Sequence, residues 1–258
     1  MILAGLTHDE LLHEALVQPR SARADFPDTR VTERPGWFQI LTPSFRTGGL
    51  NEVAGAQLSD DEADAVIART LAEYAAHDVR FRWIVTPDSR PKDLGERLAR
   101  HGMSVEQVQV MAAAVADLAV EPPPDIEVVE VGPAELDTYV DTVAAGWSTD
   151  PEPLRAYLRF VSARRGPHHS FLALDAGRPV GAADHVAFTR SALFMGAVVL
   201  PEHRGRGVYR ALLAARLRHV AAAGLRVVTT HARATTSAPI LAHLGFATLV
   251  ELDYYFNR

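Results

Sequence analysis

Cysteine is absent from the 258 residues, which excludes a disulfide framework, a thiolate metal site and a cysteinyl acyl-enzyme. Lysine is nearly absent too, Lys92 being the single one among 26 basic residues. With the abundant alanine this reads as a bias of base composition, and no function is built on it. No stretch approaches the roughly 18 consecutive apolar residues that span a bilayer. The opening MILAGLTHDELLHEAL lacks the basic start, apolar centre and small-residue cleavage site of a secretory leader. A cytoplasmic, soluble protein with no membrane partner is expected. What is plentiful is apolar residue, 48% against 22% charged, so the chain can fill packed cores and is not disordered. Its length fits one large domain or two small ones.

The best boundary is Glu121-Pro122-Pro123-Pro124-Asp125, because consecutive prolines lack amide donors and hold the backbone extended. The expected organisation is therefore residues 1–120 as one domain, 121–125 as a linker and 126–258 as a second domain. Charge divides at the same place: residues 1–124 hold 12 basic and 19 acidic residues, net −7, and residues 125–258 hold 14 and 13, net +1.

In the second part, Ile126–Val131 reads as a strand, and Pro133–Ala145 and Glu152–Arg165 as helices. Ser170–Leu174 and Val180–Phe188 form a hairpin around Asp175–Pro179. Ala192–Leu200 is apolar throughout and reads as a central strand. The helix Val208–Ala223 ends at Gly224. Strand Arg226–His231, short helix Ser237–Leu244 and strand Leu249–Phe256 follow. The first part repeats the end of this order more weakly. Ser59 opens a helix to about His77, with acidic residues in its first turn. Strand Phe81–Thr86, short helix Lys92–His101 and a strand within Val105–Leu118 come next. His101-Gly102-Met103 and Leu244-Gly245-Phe246 each follow a short helix, so the chain reads as two copies of one mixed α/β fold.

The segment that carries chemistry is Val198-Val199-Leu200-Pro201-Glu202-His203-Arg204-Gly205-Arg206-Gly207-Val208-Tyr209. A buried strand feeds a loop with two glycines and two arginines, and the loop opens a helix. Glycines let backbone approach a ligand, and free amides at a helix start favour an anion. With Arg204 and Arg206 adding positive charge, the loop suits a phosphate or pyrophosphate; the plainer alternative is a solvated turn. A P-loop would require a lysine that is missing here, and a dinucleotide fingerprint would require a third glycine where Arg210 stands.

This segment resembles the pyrophosphate loop of the GNAT acyltransferase superfamily, [RQ]-x-x-G-x-[GA] after a central strand and often preceded by V-x-P-x-x-R-G. Arg204, Gly207, Val199, Pro201 and Gly205 match; Tyr209 departs at the last small position. The resemblance covers roughly residues 126–256. The first part looks like the degenerate domain that precedes the active one in tandem members. The resemblance implies two GNAT-like domains, each a central mixed β-sheet flanked by helices, and acetyl transfer from acetyl-CoA to an amine. Ala197, Val198 and Val199 would meet the pantetheine arm. Arg204, Gly205, Arg206, Gly207, Val208 and Tyr209 would hold the pyrophosphate, and Ser237 is a further cofactor candidate. A backbone amide of the central strand would polarise the thioester carbonyl. Asp184 and His185 are candidates to take the proton of the amine, and strand alternation points only one of them into the cleft. The family's acid tyrosine is replaced by Leu241; Tyr209, His243, Ser237 and Tyr254 are possible substitutes.

Other residues carry plainer readings. Trp37, Phe45, Trp83 and Trp147 could line an acceptor cleft, although large apolar residues are core by default; Trp147 leads into a loop and is the strongest of the four. His168-His169 lacks helical ligand spacing, no H-E-x-x-H occurs and the other histidines are scattered, so no metal is expected. The acidic first part favours a cationic small-molecule amine such as a polyamine or an antibiotic, and disfavours nucleic acid. A monomer or homodimer is expected.

Overall fold

The computed structural model describes residues 1–22, 26–46, 50–162 and 166–257. The first strands are β1 (Ile2–Leu3) and β2 (Leu6–Thr7), followed by helix α1 (His8–Leu12), strands β3 (Arg30–Arg34), β4 (Trp37–Leu41) and β5 (Glu52–Ala54), and helix α2 (Ala63–Ala76). Strand β6 (Arg82–Val85), helix α3 (Leu94–Arg100) and strands β7 (Ser104–Ala114) and β8 (Ile126–Glu130) come next. Helices α4 (Leu136–Trp147) and α5 (Pro151–Ser162) then lead to strands β9 (His168–Asp175), β10 (Arg178–Ala187) and β11 (Ser191–Val199). Helix α6 (Val208–Ala222), strand β12 (Val227–Arg233), helix α7 (Ser237–His243) and strand β13 (Ala247–Phe256) close the order.

Packing divides the chain into two interleaved units: residues 1–22, 110–232 and 237–249 form one, and residues 23–109, 233–236 and 250–258 the other. Their borders do not fall at Pro122–Pro124, because β7 and β13 each contribute to both units and the first 22 residues pack with the unit that contains α6.

In that unit β8, β9, β10 and β11 run antiparallel in turn, and β11 pairs parallel with β12. Helix α4 covers one face of β10, burying Tyr139, Val140 and Val143 with Ala182 and Val198. Helix α6 covers the other, burying Val208, Ala211, Leu212 and Ala215 with Phe171, Val180 and Ala183. The β9–β10 hairpin turns on Ala176 and Gly177, both at positive φ, as a two-residue primed turn requires. The end of the expected second helix, residues 163–165, lies outside the described residues.

The first turns of the chain are held by an internal carboxylate. Buried Glu14 accepts hydrogen bonds from the Ser191 hydroxyl at 2.6 Å and from Arg190 Nε at 3.1 Å, at the start of β11. This segment and the β3–β4–β5 strands were not read from the sequence, because each is short and lacks a sustained period.

In the other unit β3, β4 and β5 run antiparallel, β5 pairs parallel with β6, and β6 pairs antiparallel with Asp253–Phe256 of β13. Trp37, Trp83, Tyr74, Phe81 and Leu98 share its core. Ser59 does not cap α2, as the sequence led one to expect. The helix begins at Ala63, and Glu62 reaches back to the Ser59 amide at 3.2 Å.

Glu14→Ala strands the Ser191 hydroxyl, which is fully buried, at a cost of about 1–3 kcal/mol. A lower urea midpoint at unchanged m value is expected; an unchanged midpoint would show that the first turns are not fixed by this carboxylate.

Candidate functional site

Strand β11 loses one of its two neighbours halfway along. Its register with β12 ends at Phe194↔Thr230, while its register with β10 continues to Val199↔Gly181. On the β12 side, residues 195–199 therefore have no strand partner among the described residues. The register with β10 also slips between Ala182↔Val198 and Asp184↔Met195, where three steps on β11 face two on β10. That is a β-bulge, and Gly196 takes it at φ +68°, a conformation costly for any residue with a Cβ.

Asp184 stands opposite the bulge. A Cβ at Gly196 would collide with Asp184 Oδ2, so the missing side chain is what makes room for the carboxylate. Asp184 Oδ1 accepts from the Tyr139 hydroxyl at 2.6 Å and the Ser170 hydroxyl at 2.7 Å, and lies 3.2 Å from His168 Nε2. The carboxylate is 8% exposed, a depth at which a charge needs such partners. Burial and the adjacent carboxylate push the Tyr139 phenol well above its ordinary value, which leaves it a donor at neutral pH.

Beneath the strand, Arg216 is buried and donates from Nη1 to the Asp184 carbonyl at 3.0 Å and from Nε to the Leu212 carbonyl at 3.2 Å. Its guanidinium sits 4.5 Å from the centre of the Phe194 ring, a cation–π distance.

His185 follows Asp184 and points the other way, as alternation requires. It is 0% exposed, lies under α6 against Phe171, Phe194, His169 and His219, and neither ring nitrogen has a hydrogen-bond partner among the described residues. Burial, helped by the neighbouring histidines and Arg216, pushes its pKa down to about 2. Of the two candidate proton acceptors, only Asp184 faces the bulge.

The arginine–glycine loop has the expected shape. Pro201–His203 form a single 3₁₀ turn, Gly205 and Gly207 have φ of +75° and +80°, and α6 starts after Gly207 with no side-chain cap. The first amides of a four-turn helix are thus left for another acceptor. The two arginines differ. Arg206 is tied to Asp175 at 2.7 Å and to His203 at 3.1 Å, whereas exposed Arg204 reaches the Val199 carbonyl at 3.4 Å. Ala197 and Val199 pack on the α6 side with Val208, and Val198 on the α4 side with Tyr139.

The other sequence candidates are scattered. Tyr209 is half-buried beside the cluster that contains Leu241 and Phe246; burial raises its phenol, opposed by nearby Arg216. Leu241 is 2% exposed, so its position offers a packing group. His243 is exposed at the end of α7, and Ser237 begins that helix. Tyr254 is buried in the other unit, 5.0 Å from the Arg82 guanidinium, and burial raises its phenol to about 12. Trp37 is in that unit's core, edge-on to Trp83, and Phe45 belongs to the same unit. Trp147 is half-exposed at the end of α4, ahead of Ser148 at φ +54°.

Sequence reasoning missed Tyr139, His168, Ser170 and Arg216. Arg216 carried a signal: Val208, Leu212, Arg216 and Val220 share one stripe of α6, and an arginine in a core stripe announces a buried acceptor. Residues 168 and 170 share a face with 184, but only the β9–β10 register reveals it.

Residues 134–246 match the model of the acetyltransferase (GNAT) family, a family whose chemistry is acyl transfer. Among solved structures, a GCN5-related N-acetyltransferase from Kribbella flavida aligns with a TM-score of 0.67 at 18% identity, over 95% of this chain and 94% of that one. A tandem GNAT protein from the clavulanic acid biosynthesis pathway gives 0.60 at 17%, over 96% and 93%. A functionally unknown conserved protein from Staphylococcus epidermidis gives 0.72 at 14%, over 90% and 95%. At these identities the likeness shows the fold. A search of curated protein sequences found no match. Among the described residues no helix is long and apolar enough to cross a membrane.

Gly196→Ala places a methyl group against the Asp184 carboxylate at a positive φ. It is expected to cost about 1–3 kcal/mol in urea unfolding. Wild-type stability would show that the bulge is slack.

Proposed function

We propose that this chain is an N-acetyltransferase that moves an acetyl group from acetyl-CoA to a primary amine of a small molecule, by direct attack in a ternary complex. The observation that carries the reading is the unpartnered half of β11, with Asp184 against its bulge and the uncapped start of α6 just beyond its end. Acetyl-CoA would supply the activated thioester. This chain's groups fit it: Arg204 and the amides from Gly205 to Tyr209 suit a pyrophosphate, and the backbone of Ala197–Val199 suits an amide-bearing arm.

An alkylamine is mostly protonated at neutral pH, with a pKa near 10, and must lose a proton before it attacks. Asp184 is the acceptor, directly or through water, with Tyr139, Ser170 and His168 holding it in place. Tyr209 is the acid candidate nearest the loop, and its raised phenol stays protonated at neutral pH. A departing thiol with a pKa of about 8.5 leaves without much help, so Leu241 does not preclude turnover. Buried Leu241 also favours a second reading, a CoA-binding module without turnover; acetylation of a protein amine is the further alternative.

The excess of acidic residues in the first 124 supports a cationic acceptor such as a polyamine or an aminoglycoside-like or peptide antibiotic, with resistance or self-protection as the role. It weighs against nucleic acid as a partner. A cytoplasmic monomer or homodimer is part of the same proposal.

Free CoA released in the presence of acetyl-CoA and a panel of primary amines tests the reading. Tight CoA binding without turnover would favour the binding module. Asp184→Asn is expected to lower kcat about 10²–10⁴-fold with little change in the KM for acetyl-CoA. Arg204→Ala should do the reverse, raising that KM roughly tenfold, as loss of one charge-assisted contact implies. Equal effects of both variants on both parameters would contradict the assigned roles. With a cationic acceptor kcat/KM should fall as salt rises; a flat response would remove the steering argument.

A further inference from the structure

Three histidines far apart in sequence meet on the face of the sheet away from Asp184. His169 comes from β9, His185 from β10 and His219 from α6, and one ring nitrogen of each lies within 4.8 Å of the others. Ring centres are 4.2 Å apart for His169–His219, 4.9 Å for His185–His219 and 5.0 Å for His169–His185. We propose that His169, His185 and His219 form a binding site for a divalent transition metal of the zinc class, with Glu130 as the supporting carboxylate.

The orphaned polar atoms carry the argument. Among the described residues, His185 is fully buried with both ring nitrogens unpartnered, and His219 Nδ1 is likewise buried without a partner. Unpaired polar groups at that depth are rare and costly, and a cation accepting a lone pair from each ring satisfies one nitrogen on each. Imidazole nitrogen is the commonest protein ligand for zinc and related ions. Bonds of about 2.0–2.1 Å in a tetrahedron put ligand nitrogens roughly 3.4 Å apart, so small ring rotations from the present spacing complete the set.

The surroundings also suit a metal. Glu130 Oε1, on β8, lies 2.9 Å from His169 Nδ1 and 3.7 Å from His219 Nε2. A carboxylate bonded to one nitrogen of a histidine leaves the other free to ligate and fixes the ring's orientation. Phe171 and Phe194 form an apolar wall beside His185. The side chains of His169 and His219 remain partly open to solvent, which gives an ion a way in. With three protein nitrogens, a water completes four-coordination. The site would staple β8, β9 and β10 to α6, one residue along β10 from Asp184. It is independent of the acyl-transfer reading.

Full-length protein stripped with a chelator and titrated with zinc alone in a calorimeter tests the proposal. One equivalent should bind, and Tm should rise with the logarithm of free zinc. His169→Ala and His219→Ala should each abolish saturable binding at micromolar zinc, and Glu130→Gln should weaken it about 10–100-fold. His243→Ala, an exposed histidine on α7, should bind like wild type. X-ray absorption of the zinc-loaded wild-type protein reads the ligands with no variant required, and three imidazoles are expected. No saturable binding, undiminished binding in the His169 and His219 variants, or any other ligand set overturns the site.

Discussion

Strand β11 keeps its partner on one side and loses it on the other after Phe194, and the arrangement of the site depends on that loss. A strand flanked on both sides has its backbone groups committed to the ladder. Freed on the β12 side, Met195–Val199 present amides and carbonyls to whatever enters. The bulge at Gly196 adds twist at the same point and clears the space that Asp184 occupies. Five residues beyond Gly196, the chain turns through Pro201–His203 and then starts α6 without a cap. The backbone thus supplies both the opening and the uncapped helix amides that the proposed function uses, so the apolar run Phe194–Val198 is compatible with a chemical role.

The alternation of β10 places Asp184 and His185 in different surroundings. The carboxylate lies on the α4 side among hydroxyls and His168, while Arg216 below donates to the backbone carbonyl of Asp184. The imidazole lies on the α6 side among other rings, held neutral by burial. A one-residue slip of β10 would exchange them. The register that forbids the slip is set by the tight Ala176–Gly177 turn on one side and the Gly196 bulge on the other.

Much of this was legible from the residues. The arginine–glycine loop, the central apolar strand and the helix after it stand where their local chemistry put them, because turn glycines, helix periodicity and apolar runs are local signals. The residues leave open which of Asp184 and His185 faces the bulge: that depends on packing by α4 and α6, and no residue on β10 records it. The surroundings of Asp184 and the three-histidine cluster were hidden for the same reason. His169, His185 and His219 have no motif spacing and meet only through the β9–β10 register and the position of α6 on the sheet. The first 22 residues were opaque because their anchor, Glu14 to Ser191, spans most of the chain. The aromatic candidates Trp37 and Tyr254 proved to be core residues, the default fate of large apolar groups.

The central claim is that the unpartnered half of β11 and the start of α6 hold the acyl donor through backbone groups. Hydrogen exchange of the full chain with and without CoA reads those amides directly. The account predicts slower exchange on CoA binding at residues 196–199 and 205–209, with β8 and the β9–β10 turn unchanged. Binding that protects neither segment, or protects only amides elsewhere, would contradict it.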